Sequence, residues 1–387
     1  MSPENKVPEI RFKGFSGEWE EKRIIDIAPL QRGFDLPKNE MQTGKYPVVM
    51  SNGINGYHSK FKAKAPGVVT GRSGTIGNIH YIEDNYWPHN TALWVTSFNG
   101  NSPQYVYYMY TKLDLNRFGT GSGVPTLNRN DVHDQSISIP EIEEQTKIGN
   151  YFQQLDSLIA RHQQKHEKLL NLKKALLEKM FPKQGATVPE IRFKGFSGEW
   201  EETNLENSTD LLTGNPFDSK EFSKRGVFLV RGMNVKRGYL DMDADISEYW
   251  PTSLELEKFL LKADDIVIQM DGALIGKSYA KINNENLPAL LVQRVTRIRS
   301  REIDPDFTYQ YIQRDFLKHI SKIKTETAVP HLSLNDIRDF QISVPKTEEQ
   351  TKIGSLFKQL DTLLNQHQTQ LKKLGNIKQA CLEKMFV

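Results

Sequence analysis

The chain contains 387 residues, enough for about two to three domains, and its net charge of only +3 neither requires nor excludes a polyanionic partner. The single cysteine, Cys381, excludes an internal disulfide and a cysteine-rich metal site and is typical of a reducing compartment. The first residues, MSPENKVPEI, do not resemble a signal sequence, and no run reaches about 18 apolar residues, so we expect a soluble, cytoplasmic protein that does not cross a membrane.

The first segment of interest is VPEIRFKGFSGEWEE at residues 7–21, which recurs letter for letter at residues 188–202. We call these two segments the frame phrases. A second repeat aligns residues 143–181 with residues 348–386 without gaps, and 24 of the 39 aligned positions are identical. The chain is therefore an internal duplication.

The segments between the repeats, 22–142 and 203–347, share only scattered features, and the second is 24 residues longer. A duplicated enzyme with one function usually keeps both of its active-site halves alike. Here the frame is retained while the inserts differ, which indicates two modules that read two different things.

The first insert predicts a mixed α/β module. A helical stretch at residues 103–115 precedes the closing phrase VPTLNRNDVHDQSISIP, which starts at Val124. Short apolar runs between Gly- and Asn-rich turns are typical of strands, and they occur at Tyr46–Met50, 67–70, 78–82 and Ala92–Val95.

The next segment carries the a/d pattern of a coiled-coil helix, bounded by Pro140 and Pro182. Its seam positions alternate by steps of four and three: Ile148, Phe152, Leu155, Ile159, His162, His166, Leu169, Lys173, Leu176 and Met180. Paired histidines at this spacing are possible metal ligands. Polar seam residues more commonly fix register and orientation, and no carboxylate or cysteine accompanies these histidines on the seam, so we predict no metal site.

The second insert repeats the α/β pattern. Its helical stretch is 305–323, and its closing phrase VPHLSLNDIRDFQISVP starts at Val329, 205 residues after the first closing phrase. Its strand-like runs are Val227–Val230, 265–270, 277–282 and 291–298.

A second heptad helix ends the chain. Its seam contains Ile353, Phe357, Leu360, Leu364, His367, Leu371, Leu374, Lys378, Cys381 and Met385. The first helix leads from module one to module two and the second leads back, so the pair should be antiparallel. The end of the second helix at Phe386 should then lie beside the first frame phrase.

These features predict an α/β (α+β) fold class. Two modules are separated by two long antiparallel coiled-coil helices in a pseudo-two-fold, circular arrangement. The predicted domains are residues 1–142 and 183–347 for the modules and residues 143–182 and 348–387 for the spacer helices.

Catalytic motifs are incomplete. Residues 272–278, GALIGKS, resemble a phosphate-binding loop, but three residues separate the glycines where the pattern needs four. The matching stretch of module one, GRSGTIG at residues 71–77, has no lysine and is more typical of a tight turn. Asn215, Pro216 and Phe217 lack the second proline of the amino-methyltransferase tetrad. We therefore predict no catalytic residues.

DNA reading is better supported, because turns in both modules are rich in side chains that match base-edge donors and acceptors. Arg297, Arg299 and Arg301 alternate on one face of a strand, which suits phosphate contacts. Any one such residue is as often a solvent-exposed turn residue as a DNA contact. The turn residues of module one are Asn52, Asn55, Tyr57, His58, Lys60, Arg72, Ser73, Thr75, Ser122 and Arg129. Those of module two are Arg231, Asn234, Lys236, Arg237, Tyr239, Gln269 and Lys277.

The chain resembles the specificity subunit of type I restriction-modification enzymes over nearly its whole length. The likeness rests on RFKGFSGEWEE (twice), GRSGTIGNIHYI, HNTALWV, VPTLNRNDV and the EEQTKIG…LD helices that end in LEKMF (twice). It implies two target recognition domains, each reading one half of an asymmetric, bipartite double-stranded DNA sequence, with the helices as a ruler between them.

The resemblance also implies partners. Two methylation subunits would bind the helices and frame phrases, and two restriction subunits would join the larger complex. S-adenosylmethionine, ATP and Mg²⁺ would then belong to these partners, and this chain would be a non-catalytic subunit without a cofactor. Side chains expected to pack the helices or dock partners are Phe152, Leu155, Ile159, His162, Leu169, Phe357, Leu360, Leu364, His367 and Leu371.

Two other interpretations stay open from the sequence. One is a coiled-coil adaptor whose modules bind protein, which would show no salt-dependent DNA affinity. The other is a nucleotide-dependent enzyme built on the GALIGKS loop, which ATP binding by the isolated chain would support.

Overall fold

The chain folds as two units in the computed structural model, which describes residues 6–37, 40–41, 43–121, 123–323 and 331–387. Unit 1 comprises Met1–Lys165 and His367–Val387, and unit 2 comprises His166–Gln366. Each unit therefore combines one predicted module with parts of both long helices.

The strands of unit 1 form small antiparallel and mixed sheets around a core. One sheet has the strand order β2-β8-β5-β6, another has the order β4-β3-β7, and β1 pairs with β11 and β9 with β10. The strands are β1 (Glu20–Arg23), β2 (Leu30–Arg32), β3 (Tyr46–Met50), β4 (Gly53–His58), β5 (Gly67–Gly71), β6 (Ile79–Ile82), β7 (Trp87–Pro88), β8 (Ala92–Val95), β9 (Gly119–Thr120), β10 (Thr126–Leu127) and β11 (Ser136–Ile139).

Strand β5 lies between β6 and β8, and all of its residues are buried. A continuous small and apolar run, GVVTG, suits a strand that is covered on both faces. The four strands predicted from the sequence of module one are thus present, with boundaries that shift by at most one residue.

The short helices of unit 1 cover this sheet and cap the core. They are α1 (Ile24–Ile27), α2 (Pro103–Lys112) and α3 (Arg129–His133). Helix α2 starts after Ser102, whose hydroxyl accepts a hydrogen bond from the Tyr105 amide, and it buries Tyr105, Met109 and Tyr110. Pro103 at its first position needs no amide partner.

Unit 2 has the same kind of architecture. Its main sheet has the order β13-β19-β16-β17, a second has the order β15-β14-β18, and β12 pairs with β20. The strands are β12 (Glu201–Asn204), β13 (Thr209–Thr213), β14 (Val227–Val230), β15 (Tyr249–Trp250), β16 (Ile266–Gln269), β17 (Tyr279–Lys281), β18 (Ala289–Leu291), β19 (Val295–Ser300) and β20 (Gln341–Val344). The short helices are α5 (Leu205–Ser208), α6 (Pro305–Tyr311), α7 (Leu317–Ile323) and α8 (Leu334–Arg338).

Two elements of unit 2 differ from the prediction. The single strand predicted at 291–298 is wrong, because β18 ends at Leu291 and β19 begins at Val295. Between them Arg294 has φ +67°, which lies outside the strand region and breaks the ladder. The helix predicted at 305–323 is interrupted by a π-helical turn, Ile312–Phe316.

The long helices are α4 (Ile142–Lys179) and α9 (Thr347–Lys384), each of 38 residues. At 1.5 Å per residue each is about 57 Å long. In unit 1 the rings of Phe152 and Phe386 lie 5.9 Å apart, so the start of α4 meets the end of α9. In unit 2 the rings of Phe181 and Phe357 lie 6.0 Å apart, so the end of α4 meets the start of α9. The helices are antiparallel within each unit, and the predicted fold class is confirmed.

The polar seam residues have partners. In unit 1 the Lys378 Nζ lies 2.5 Å from Asp156 Oδ1. In unit 2 the equivalent Lys173 Nζ lies 2.6 Å from Asp361 Oδ1. Each lysine is thus neutralised by an aspartate of the opposite helix, which explains why it interrupts an apolar seam without a bare buried charge.

Two of the three seam histidines, His162 and His367, meet directly within unit 1. His162 Nδ1 and His367 Nδ1 lie 2.9 Å apart. Across the described ranges, no group of three or more His, Cys, Asp or Glu side chains is arranged to hold a metal ion.

The frame phrases contact the helix ends. In unit 1 the amide of Ile10 donates to the carbonyl of Lys384 at 2.9 Å, and in unit 2 the amide of Ile191 donates to the carbonyl of Lys179 at 2.9 Å. The expectation that the end of the second helix lies beside the first frame phrase is confirmed. Trp19 and Trp200, at equivalent positions of the phrases, are buried in the two cores.

None of the helices in the described part of the chain has both the length and the apolar character that a bilayer crossing requires. The predicted domain boundaries at 142, 182 and 347 stay a prediction, and the boundaries of the two units fall inside α4 and α9.

Candidate nucleic-acid interface

Three chain segments of unit 1 meet beyond the end of β5. The amide of Arg72 donates to the carbonyl of Thr91 at 2.8 Å, the amide of Leu127 donates to the carbonyl of Arg72 at 2.8 Å, and Ser73 forms a bridge with Thr126. The β3–β4 turn joins them, since the amide of Ser51 lies 3.4 Å from Thr91 Oγ1. We call residues 51–52, 71–75, 91 and 125–127 loop cluster 1.

Glycine is required where the cluster begins. A Cβ on Gly71 would lie 1.7 Å from the carbonyl oxygen of Thr75, so no other residue fits there without moving the loop. The turn GRSGTIG joins β5 to the antiparallel β6, as predicted.

Loop cluster 1 brings together several of the predicted DNA-binding residues. Asn52 and Thr75 are exposed, and Arg72 and Ser73 are half-buried. Asn55, Tyr57 and Lys60 are exposed on and just after β4, and Arg129 is exposed at the start of α3. Ser122 lies outside the described residues.

His58 has a structural role instead. It is buried, its Nδ1 accepts a hydrogen bond from the Lys60 amide at 2.9 Å, and its ring lies 4.9 Å from that of Trp87. Its suggested DNA contact is wrong, because the ring is not accessible.

Unit 2 builds the equivalent meeting point. The amide of Met270 donates to the carbonyl of Arg294 at 2.9 Å, the amide of Leu332 donates to the carbonyl of Met270 at 2.7 Å, and Asp271 forms a bridge with His331. We call residues 269–272, 292–294 and 331–332 loop cluster 2. Asp271, Arg294 and His331 occupy the positions of Ser73, Thr91 and Thr126.

The side chains of loop cluster 2 are linked through Asp271, by an ion pair with Arg294 and a hydrogen bond with His331. The carboxylate of Asp271 accepts hydrogen bonds from the Arg294 guanidinium and from the His331 ring. Burial by itself raises the pKa of the Asp271 carboxyl, but the hydrogen bonds from His331 and Arg294 outweigh it and hold the pKa below its ordinary value. Asp271 therefore stays ionised and fixes the direction of both partners.

A second exposed feature of unit 2 is the turn at residues 236–239. The amide of Lys236 donates to the carbonyl of Tyr239 at 3.0 Å, and the amide of Gly238 donates to the carbonyl of Tyr279 at 2.8 Å, so the turn is fixed on β17. Arg237 is exposed and Lys236 is half-buried. Tyr239 is 58% exposed, which leaves its ring free to pack on a partner.

The remaining predicted residues of unit 2 vary in access. Gln269 is half-buried at the end of β16, and a Cβ on Gly232 would lie 3.3 Å from its Cγ. Arg231 is half-buried and donates to the carbonyl of Ile246, so part of its guanidinium is already used. Lys277 is exposed.

The GALIGKS loop joins β16 to β17, which are antiparallel neighbours. A phosphate-binding loop leads from a strand into a helix, whose N-terminus supplies amide donors. The loop therefore lacks the structural context of a nucleotide site.

Three of the predicted DNA-binding side chains of unit 2 have partners inside the fold, which the sequence does not predict. Asn234 is fully buried and donates to the carbonyl of Asp241 at 3.0 Å, which holds its turn. Arg297 is only 4% exposed and pairs with Asp210. Arg299 makes two hydrogen bonds of 2.7 Å to the buried carboxylate of Asp265.

The alternation on β19 was therefore interpreted correctly as a shared face, but that face points at other chain segments. The hydrogen bonds to Asp265 raise the pKa of Arg299 despite its burial, so the guanidinium keeps its charge. Arg301 at the end of the strand stays exposed, 3.8 Å from Asp210.

Asp271, Arg294 and His331 carry no local sequence signal that marks them as neighbours. Arg294 lies in the run 291–298, whose apolar character predicts one continuous strand and hides the turn that the structure has there. His331 was recognisable, because it aligns with Thr126 at the 205-residue offset between the closing phrases.

A family model for the type I restriction modification DNA specificity domain matches residues 16–171 and 197–374, which is more than half of the chain. The chain belongs to the type I restriction-modification DNA specificity family. The predicted resemblance is confirmed, and each match lies over one copy of the internal repeat.

Relatives of this specificity-family chain support the assignment. The type I restriction enzyme MjaVIII specificity subunit of Methanocaldococcus jannaschii is 26% identical over 260 residues, which covers 63% of this chain and 59% of that protein. The EcoAI specificity subunit of Escherichia coli is 26% identical over 198 residues, covering 50% of this chain and 33% of that protein. The aligned part thus spans less than two thirds of either relative.

A solved structure shows the same fold. The type I restriction-modification system S subunit from M. genitalium aligns with this specificity-family chain at a TM-score of 0.72, over 98% of this chain and 99% of that one. The sequence identity is 17%, so this likeness concerns the fold.

Proposed function

We propose that this chain is the DNA-reading, non-catalytic subunit of a type I restriction-modification complex and that each unit reads one half of a bipartite target. The observation that carries the proposal is the pair of loop clusters. Both are built from equivalent segments of the two units, yet they present different side chains. Equivalent positions with different chemistry suit two different half-sites, so the target is asymmetric.

The contacts divide into two kinds. Exposed cations such as Lys60, Arg129 and Arg237 suit the phosphate backbone, which positions a protein without reading sequence. Side chains of the loop clusters suit base edges in the major groove. Adenines would be flipped into the pocket of a partner, because their reactive atoms are not accessible inside a duplex.

The helices serve as spacer and docking surface in this proposal. Helices α4 and α9 set the separation between half-sites, and together with the frame phrases they bind two methylation subunits. Two restriction subunits join the larger complex. S-adenosylmethionine, ATP and Mg²⁺ act in those partners, and the complex works in the cytoplasm. Support comes from the family assignment and from frame phrases that are identical in both copies.

The deciding experiment is modified-base sequencing of DNA from cells that carry this chain with its methylation partner, compared with cells that lack only this chain. We expect a split, asymmetric adenine-methylated motif that disappears in the deletion. A symmetric motif would contradict the assignment of one unlike half-site to each unit.

An unchanged methylation pattern would favour the coiled-coil adaptor. Binding of the purified complex to duplex DNA at increasing salt separates the two ideas directly. A DNA-reading subunit loses affinity steeply as salt rises, and an adaptor shows no such DNA affinity.

A further inference from the structure

The loop at residues 292–294 has an unusual residue at its end. Arg294 adopts φ +67°, a left-handed conformation that residues with a Cβ rarely occupy and that glycine or asparagine would tolerate more easily. The backbone around it is fixed, because the Gln293 amide donates to the Asn215 carbonyl at 2.8 Å and the Arg294 carbonyl accepts from Met270 at 2.9 Å. An arginine at a position that favours glycine indicates that its side chain is used.

The side chain of Arg294 is 66% exposed and held from one side only. Its Nη1 donates to Asp271 Oδ2, while Asp271 Oδ1 accepts from the His331 ring. Among the described residues its Nε and Nη2 have no hydrogen-bond partner. Asp271 and His331 belong to the other two segments of loop cluster 2, 269–272 and 331–332. Three parts of the chain therefore orient one guanidinium.

We propose that Arg294 reads a guanine in the half-site of unit 2 and that Asp271, supported by His331, positions its guanidinium. The proposal rests on the proposed function and names the base that this site takes. Guanine offers two adjacent acceptors, O6 and N7, in the major groove, and a planar guanidinium matches them with two donors. A carboxylate on one edge leaves another edge for the base.

A phosphate contact fits this geometry less well. The negative charge of Asp271 beside the guanidinium weakens its attraction for a phosphate, whereas the acceptors of guanine carry no net charge. A phosphate contact also needs no fixed orientation, and the exposed lysines and arginines elsewhere in unit 2 meet that need. The fixed direction of Arg294 suits a base edge.

Unit 1 has neutral hydroxyl side chains at the same places. Thr91 stands where unit 2 has Arg294, and its Oγ1 lies 3.0 Å from His89 Nδ1. Ser73 and Thr126 replace Asp271 and His331. Unit 1 has no guanidinium at this position, so a guanine contact here belongs to one half-site only.

The test uses the complete complex with its methylation partner. We expect the wild-type motif to contain a guanine in one half-site and Arg294→Ala to relax the motif at that guanine alone, with preference for it falling by about 10- to 100-fold. Asp271→Asn should relax the same position more weakly. Arg301→Ala is the matched control, because Arg301 is also an exposed arginine beside an aspartate, and it should leave the motif unchanged.

A second measurement changes the DNA and can be made on the wild-type complex alone. Replacing the guanine by 7-deazaguanine removes the N7 acceptor and keeps O6, so it should weaken binding of the wild-type complex, though by less than Arg294→Ala does. It should have little further effect on the Arg294→Ala complex. This readout stays decisive if the alanine variant assembles poorly.

The outcomes are distinguishable. If the wild-type complex methylates no bipartite motif, the proposed function fails. If the motif is bipartite but contains no guanine, or if 7-deazaguanine has no effect, Arg294 does not read guanine. If Arg294→Ala weakens binding to all sequences equally and leaves the motif intact, Arg294 contacts a phosphate and the proposal is overturned.

Discussion

Arg11 makes two hydrogen bonds of 2.8 Å to the carboxylate of Glu144, which joins the first frame phrase to the start of α4. Glu144 is only 1% exposed, and this arginine is its ion-pair partner. The hydrogen bond to Glu144 raises the pKa of Arg11 above its ordinary value. Unit 2 repeats the arrangement with Arg192 and Glu349.

Arg11→Ala should destabilise unit 1 by about 3 to 5 kcal/mol, because it leaves the buried Glu144 carboxylate without a partner. Hydrogen exchange with mass spectrometry can follow the two units separately in one chain. We expect faster exchange in the peptides of unit 1 only.

Arg192→Ala is the internal control and should affect unit 2 in the same way. A variant that replaces both Arg11 and Glu144 by leucine should recover much of the loss, since it removes the unpaired charge. Equal loosening of both units by Arg11→Ala would contradict the local role of this pair.

Exchanging the charges of Asp156 and Lys378 tests the seam of unit 1. Each single change, Asp156→Lys or Lys378→Asp, places like charges together and should lower stability by about 1 kcal/mol, since both side chains are partly exposed. The double exchange should restore part of that loss. Urea midpoints of the three variants measure the coupling, and additive losses would show that the two side chains do not interact.

The stability of unit 1 should fall as pH drops below about 6.5, the ordinary pKa of histidine. His133 is buried, and its Nε2 accepts a hydrogen bond from the Leu30 amide at 2.9 Å, which requires the neutral ring. Burial and then the charge of Arg129 lower the pKa of His133. The unfolded chain thus binds a proton more readily than the folded one, and stability is lost as pH falls through this range.

The control for this pH effect is His133→Gln, whose amide oxygen accepts the same hydrogen bond without titrating. Burial also lowers the pKa of His80, so both proteins should still lose some stability in acid. The wild type should lose more than the variant between pH 7.5 and pH 5.5. Identical pH profiles of the urea midpoint would rule out His133 as the source.

Arg237→Ala and Arg297→Ala should separate a DNA contact from an internal ion pair. Arg237 is exposed, so its loss should weaken binding to all sequences and reduce the slope of log affinity against log salt by about one unit. Arg297 is buried against Asp210, so its loss should lower stability and leave that slope unchanged. The opposite pattern would contradict the placement of both side chains.

Inserting seven residues into both α4 and α9 should lengthen the unread spacer of the DNA target. Seven residues add about 10 Å of helix, which corresponds to about three base pairs. Both half-sites should keep their bases, because no residue of either loop cluster changes. Sequencing of the methylated motif measures this, and altered half-sites would refute the spacer role.

The repetitive parts of this structure were predictable, and the reason is periodicity. The spacing of Ile148, Phe152 and Leu155 matches the period of an α-helix, so the sequence alone predicts that they share one face of the helix. All three are buried in the structure. The strand Tyr46–Met50 was found in the same way, from a short apolar run between turns.

The site was less predictable, because partners that are distant in sequence decide which of its side chains are exposed and which are paired inside the fold. Arg297 and Arg299 resemble Arg301 in the sequence. In the structure, however, Arg297 pairs with Asp210 and Arg299 pairs with Asp265. Asp271 and Arg294 look unremarkable until a left-handed turn brings them together. Charge pairing across a fold leaves no local pattern to detect.

The two frame phrases contact the ends of the long helices in the same way, and this bears on how modules could be exchanged. The same amide-to-carbonyl contact of 2.9 Å fastens Ile10 to Lys384 and Ile191 to Lys179, within phrases that are identical letter for letter. A module transplanted between the two frames therefore meets the same neighbours at its borders. An exchange of modules by recombination within these identical phrases would therefore preserve this backbone contact in the product.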